Sequence, residues 1–382
     1  MQDVSGEASW DSVLDELAAR RAEFRAQRFV SADFIARLKQ LGLYRSATPS
    51  KFGGQPLSPA QFLEQIEQIS AVDGSTGWVA SFGCAPIYLA ALPVETQRQI
   101  YAAGPDISFA GGLAPVQPAT ATAKGYLVNG RWKFASGSVG ADFLGVGIIG
   151  ADEHAGSEHA GKPRTAVLRP EQVEIVPEWE VLGMQGTGSF DLVVQDVEVD
   201  REWTFIRGGE ALIDEPLYRY PTIAYAAQVL AVVGAGVARA ALDFAVGAGA
   251  ERAGIVGGPR LADRAYYRVG VAEAEAALRS ARAWFYEITR ETWETVLTGD
   301  PATDVHNAQL RLAANHLAKT AAHAVNKVVE ISGTSPIHVG HPLEVLLGDA
   351  LVPRQHAFLG PAIYDAAGAV LMGLSPTIPG FR

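Results

Sequence analysis

Residues 126–138 read YLVNGRWKFASGS. Polar and apolar residues alternate on either side of Asn129-Gly130, and Asn-Gly is the dipeptide a tight hairpin turn favours, because both central residues take positive φ. The stretch predicts a β-hairpin, and the texture around it sets the fold class. From about 106 to 205 short β-rich runs continue it: FLGVGIIGA, RTAVLRP, VEIVPEW and FDLVVQDVEV, with turn residues between them. DEHAGSEHAGKP (152–163) reads as a solvated hairpin loop. Upstream the period is helical. In ADFIARLKQLGLYR, Phe34, Ile35, Leu38 and Leu41 recur at three and four. The same period runs through DELAARRAEFRAQRF, 59–72 and 75–92, with PSKFGGQPLSP as a loop. Downstream, TIAYAAQVLAVVGAGVARAALDFAV is apolar almost all round and predicts a buried central helix. Two long amphipathic segments follow it, punctuated by Pro301 and residues 333–336, and Pro353 is expected to kink the last helix. The expectation is an α+β chain with an N-terminal α-helical domain (1–105), a middle β-barrel or sandwich domain (106–205) and a C-terminal four-helix bundle (206–382).

Bulk composition narrows the function. The chain has 382 residues, 48% apolar and 19% charged, which suits a well-buried globular protein. A single cysteine, Cys84, excludes an intrachain disulfide framework and a Cys-rich zinc site. The formal charge is −11 with no basic run, so nucleic acid is not an expected partner. No signal peptide and no membrane span are read, and a cytoplasmic protein is expected.

Several residues invite a chemical reading beside a structural one. Trp78 opens a helical run after DGSTG, where Asp73 or Ser75 could cap the helix; it is either a core indole or the wall of a flat pocket. Phe134 and Ser136 read as a buried aromatic on a hairpin strand and a turn serine. Glycine-rich GMQGTGS (183–189) lacks the lysine of a phosphate loop, and strands follow it rather than a helix. The histidines form no metal-ligand spacing, so no metal is predicted. Between Asp349 and Asp365 there is no acid, and His356 sits among Arg354, Gln355 and apolar residues.

These motifs, taken in order, resemble the acyl-CoA dehydrogenase superfamily, through PSKFGG (49–54), DGSTGWVAS (73–81), GRWKFASG (130–137), GMQGTGSFDLVVQDVEV (183–199) and SGTSPIHVGHPLEVLLGDALVPRQHAF (332–358). Within that fold the chain is identified with the group D two-component flavin monooxygenases, and the resemblance spans nearly all of it. It implies reduced flavin (FADH2 or FMNH2) delivered by a separate NAD(P)H-flavin reductase, O2 as co-substrate, a flavin C4a-hydroperoxide, and a small aromatic substrate such as an indole or phenol. It further implies Phe134 beside the flavin ring, Ser136 at its N5 edge, and Arg252, Gly333 and Thr334 toward the rest of the cofactor. Trp78, Met184 and His356 would line the substrate pocket, and a homotetramer would be the assembly.

The same resemblance bears on the acid-free stretch. The position where a dehydrogenase of this fold carries its catalytic glutamate corresponds to Ala357, and residues 216–242, the other family position, contain no Asp or Glu. His356, next to the vacancy, is expected either to accept a substrate proton or to hydrogen-bond the oxygenated flavin. Gln185 and Gly348 stand where relatives usually carry arginine. The alternatives are an acyl-thioester dehydrogenase with an unrecognised base, and a non-catalytic binding scaffold.

Overall fold

The computed structural model describes residues 9–150, 161–251, 258–378 and 381. Arg252 and most of the 152–163 loop lie outside them. Helices α1 (Trp10–Gln27), α2 (Ala32–Gln40), α3 (Pro59–Val72), α4 (Gly74–Ser81), α5 (Pro86–Leu89) and α6 (Val94–Ile100) come first. Strands β1 (Phe109–Ala121), β2 (Gly125–Ala135), β3 (Phe143–Gly150), β4 (Arg164–Leu168), β5 (Glu174–Val176), β6 (Phe190–Asp200) and β7 (Thr204–Ile206) follow. The chain then returns to helix: α7 (Pro216–Arg219), α8 (Thr222–Glu251), α9 (Ala265–Leu297), α10 (Asp304–Ile331), α11 (Pro342–Leu351) and α12 (Ala362–Leu371). The fold is α+β.

The described residues divide into two compact units. The first is Met1–Leu57, Phe82–Glu180 and Gln185–Tyr218. Its centre is a mixed seven-stranded sheet in the order β5-β6-β2-β1-β3-β4-β7, in which β1 and β3 are parallel and the other pairs antiparallel. Tyr126, Val128, Trp132, Leu144, Val146, Ile148 and Leu192 form its core. Trp132 is fully buried, and its indole N–H donates to the Gly147 carbonyl at 2.7 Å, as a buried indole requires.

Asn129-Gly130 does not turn the chain, contrary to the hairpin expectation. β2 runs straight through it, and the pairing with β6 slips between Val128 and Gly130. The slip is a bulge: Gly130 takes φ 154°, and the Asn129 side chain accepts the Asp196 N–H at 2.7 Å. The actual turn between β1 and β2 lies at residues 122–124, where Thr122 Oγ1 accepts from the Gly125 N–H at 3.0 Å.

The second unit is Ser58–Ser81, Val181–Met184 and Arg219–Arg382. Ser58 caps α3 through a reciprocal box with Gln61. α8 is long and apolar enough to cross a membrane, but its apolar surface is taken up by packing against α3, α9 and α10. α11 and α12 lie on α10. Pro353 ends a helix instead of kinking one. α11 stops at Leu351, two short 3₁₀ turns follow at Pro353–Gln355 and Ala357–Leu359, and α12 begins only after Pro361. Proline lacks the N–H that would continue the helix, and His356 between the turns is extended (φ −69°, ψ 142°).

Candidate active site

In the first unit, the end of β2 presents an exposed aromatic face. The β2–β6 register slips again between Trp132 and Ala135, and Phe134 takes the left-handed conformation, φ 62°. A bulky residue rarely adopts that conformation. Here it turns the ring out of the sheet, 65% exposed, edge-on to Trp179 at 6.2 Å and 81°. Two residues on, Ser136 is buried, with Oγ 2.7 Å from Ser189 Oγ, which lies 2.7 Å from Thr187 Oγ1. The Gly137 N–H donates to the Thr187 carbonyl at 2.9 Å and ties this row of hydroxyls to the strand end. A projecting flat ring beside a row of hydroxyls suits a planar heteroaromatic with a polar edge, so these residues fit a flavin.

Gln185 carries no charge, but Arg28 supplies one beside it. The Arg28 guanidinium donates to the Gln185 side-chain oxygen at 2.7 Å and to Glu180 at 3.0 Å. A cation from a different segment of the chain therefore lies beside Gln185, paired with Glu180.

In the second unit, Trp78, His356 and Met184 are brought into one neighbourhood. Asp73 caps α4, its carboxylate accepting the Thr76 N–H and hydroxyl at 2.7 Å each. Gly77 lets α4 close on α3, since a Cβ there would lie 2.0 Å from Ser70 Oγ. That packing buries Trp78, and the His356 ring meets it edge-on at 6.2 Å, with Phe358 on the imidazole's other side at 4.9 Å.

Asp349 fixes the remaining edge. Its buried carboxylate accepts the Met184 N–H at 2.6 Å and abuts Gly74 at the start of α4. Gly183 and Gly348 let the two backbones touch: a Cβ on Gly183 would lie 2.0 Å from the Gly348 carbonyl oxygen, and one on Gly348 would lie 2.6 Å from that of Leu182. Gly348 is therefore a steric requirement of this crossing.

The imidazole has one charge state and one tautomer at neutral pH. Burial lowers the His356 pKa to about 4, so the ring is neutral. Nδ1 accepts the Phe358 N–H at 3.2 Å, which leaves the proton on Nε2. His356 is thus a hydrogen-bond donor through Nε2–H and a poor base. Of its two expected roles, the geometry favours hydrogen-bond donation.

Gly333 and Thr334 sit in an exposed turn after α10, Gly333 with φ 73°. Arg252 is outside the described residues. Sequence reading missed Trp179, the roles of Thr187 and Ser189, and Asp349 as the anchor of Met184. Thr187 and Ser189 are two apart at the entry to β6, and period-two spacing of hydroxyls was a usable signal. Nothing local in the sequence marks Trp179.

Residues 9–104 match the acyl-CoA dehydrogenase N-terminal domain, and residues 228–361 match the acyl-CoA dehydrogenase C-terminal domain. The indole-3-acetate monooxygenase of Pseudomonas putida is 49% identical over 376 residues, 98% of this chain and 95% of that protein. The indole-3-acetate monooxygenase of Acinetobacter baumannii is 42% identical, covering 97% of this chain and 95% of that protein. The crystal structure of the 3-HSA hydroxylase from Rhodococcus sp. RHA1 shares the fold with a TM-score of 0.89 at 24% identity, covering 100% of both chains. With nearly half its residues shared along its length with a monooxygenase, the chain belongs to the flavin-dependent monooxygenases of the acyl-CoA dehydrogenase fold, as an oxygenase component.

Proposed function

We propose that this protein inserts one oxygen atom of O2 into an indole-type aromatic, with indole-3-acetate as the first candidate, using reduced flavin from a separate NAD(P)H-flavin reductase. The observation that carries this reading is a neutral histidine, packed against a buried tryptophan, with no carboxylate in the stretch where a dehydrogenase holds its base. Reduced flavin supplies two electrons and activates O2; one oxygen atom enters the substrate and the other leaves as water. Phe134 gives the ring a platform and Ser136 a hydroxyl at its polar edge. Trp78 and Met184 form an apolar wall for a flat substrate, and apolar walls keep water from the reacting oxygen. His356 offers Nε2–H as a fixed donor where negative charge develops on oxygen. Arg252, Gly333 and Thr334 remain assigned to the rest of the cofactor by family resemblance, Arg252 because its fork suits phosphate. The assembly in this reading is a homotetramer.

An acyl-thioester dehydrogenase needs a base for the α-proton, and an imidazole with a pKa near 4 is too weak for that task. The test is turnover of indole and indole-3-acetate with a flavin reductase, flavin, NADH and air. Hydroxylated product that requires reductase and O2 supports the reading. Flavin reduction by an acyl-CoA, with no aromatic product, would replace it.

A further inference from the structure

Resting on that reading, we propose that Asp349 is a positioning residue for the substrate pocket: its carboxylate holds Met184 in a strained backbone conformation and seats the helix that carries Trp78, and so sets how tightly a flat substrate is held. All of these residues belong to the second unit. Met184 has φ 55°, in the left-handed region. Arg28, Phe134 and Asp196 also take positive φ, but solvent reaches each of those side chains, whereas Met184 is only 1% exposed. In that region a β-carbon crowds the backbone carbonyl, so a residue other than glycine stays there only where its surroundings hold it.

The hold on Met184 comes from two sides. Asp349 Oδ1 accepts the Met184 N–H at 2.6 Å, and the carboxylate is itself buried, where little water competes for the bond. That bond pins the plane of the Gly183–Met184 peptide, while burial pins the methionine side chain, so the φ between them cannot relax. The other face of Asp349 meets α4. A Cβ on Gly74 would lie 2.9 Å from Asp349 Oδ2 and 3.3 Å from its Cβ, so the aspartate fills the space beside the first residue of that helix. Trp78 is four residues on and therefore lies on the same face of α4, one turn further along. A carboxylate at the N-terminus of a helix is also favoured by the helix dipole. Asp349 thus braces the backbone under both apolar walls, Met184 directly and Trp78 through α4.

The test measures KM, kcat and Tm together, with indole and indole-3-acetate as substrates and reduced flavin supplied. Asp349→Asn keeps the shape and one acceptor but removes the charge. It should raise both KM values about 10-fold, the difference between a charged and a neutral hydrogen bond, and leave kcat at saturation within about twofold of wild type. Ser58→Ala, which removes the cap of α3, should lower Tm and leave both KM values unchanged. Met184→Gly supplies a residue that takes the left-handed conformation without strain. On that background Asp349→Asn should lower Tm by less than it does on wild type, and if Asp349→Asn alone fails to fold, the double variant should fold. Folded Asp349→Asn protein with wild-type KM would overturn the inference. So would an equal loss of Tm on the two backgrounds, or a double variant that fails to fold as the single one does. Wild-type protein that oxidises neither substrate would sink the monooxygenase reading itself, and this inference with it.

Discussion

His356 shows how neighbours decide a side chain's chemistry. The residue type and its place beside Ala357 are legible in the sequence. Its tautomer is not, because that depends on the Phe358 N–H two residues on, in a turn created by Pro353. His356→Ala should fold and bind flavin but lose about 10²-fold in hydroxylation, the usual loss for one preorganised donor, with hydrogen peroxide released instead of product. Wild-type coupling of reductant to product in this variant would make the histidine structural. Its charge state is also testable. The folded ring titrates near pH 4, while an unfolded histidine titrates near pH 6.5. Between those values the unfolded chain binds the extra proton, so stability falls as pH drops through that window and is fully present above it. His356→Gln should flatten that part of the stability–pH curve measured by urea denaturation; an unchanged slope would mean another group sets it.

At the scale of elements, the helices were the most legible part. A 3.6-residue period and caps such as Ser58 with Gln61 act locally, so a single sequence carries them. What failed were sites where a tertiary contact overrides a local preference. Asn129-Gly130 has turn chemistry, yet β6 pairs on both sides of it and absorbs the extra residue as a bulge. The crossing of α11 with Val181–Met184 was equally invisible, because Gly183 and Gly348 are 165 positions apart, and each looks like an ordinary glycine. That crossing yields a prediction. Gly348→Ala places a methyl 2.6 Å from the Leu182 carbonyl oxygen and 3.3 Å from Gly183 Cα, both backbone atoms that cannot swing aside. It should destabilise the protein by about 1–3 kcal/mol, the usual range for overpacking, and raise the aromatic substrate's KM by displacing Met184. A Tm and KM equal to wild type would show that the loop gives way freely.

For the whole molecule, the order helix, sheet, helix was readable, because each texture persists over a long continuous stretch of chain. How the chain divides into its two units was not. Phe134 and Ser136 belong to the unit built on the sheet, while Trp78, Met184 and His356 belong to the helical unit, which takes in α3, α4 and four residues from the connection before β6. Contiguous segments of sequence give no hint of that exchange. In the proposed reaction, reduced flavin and O2 carry out oxygen insertion with no carboxylate base. The most direct measurement is a single turnover: protein, reduced flavin and indole-3-acetate are mixed without oxygen, then exposed to ¹⁸O₂, and the product is weighed by mass spectrometry. Oxygen insertion gives product carrying one ¹⁸O atom, in proportion to the flavin oxidised. Unlabelled product, or flavin oxidised with only hydrogen peroxide formed, would contradict it.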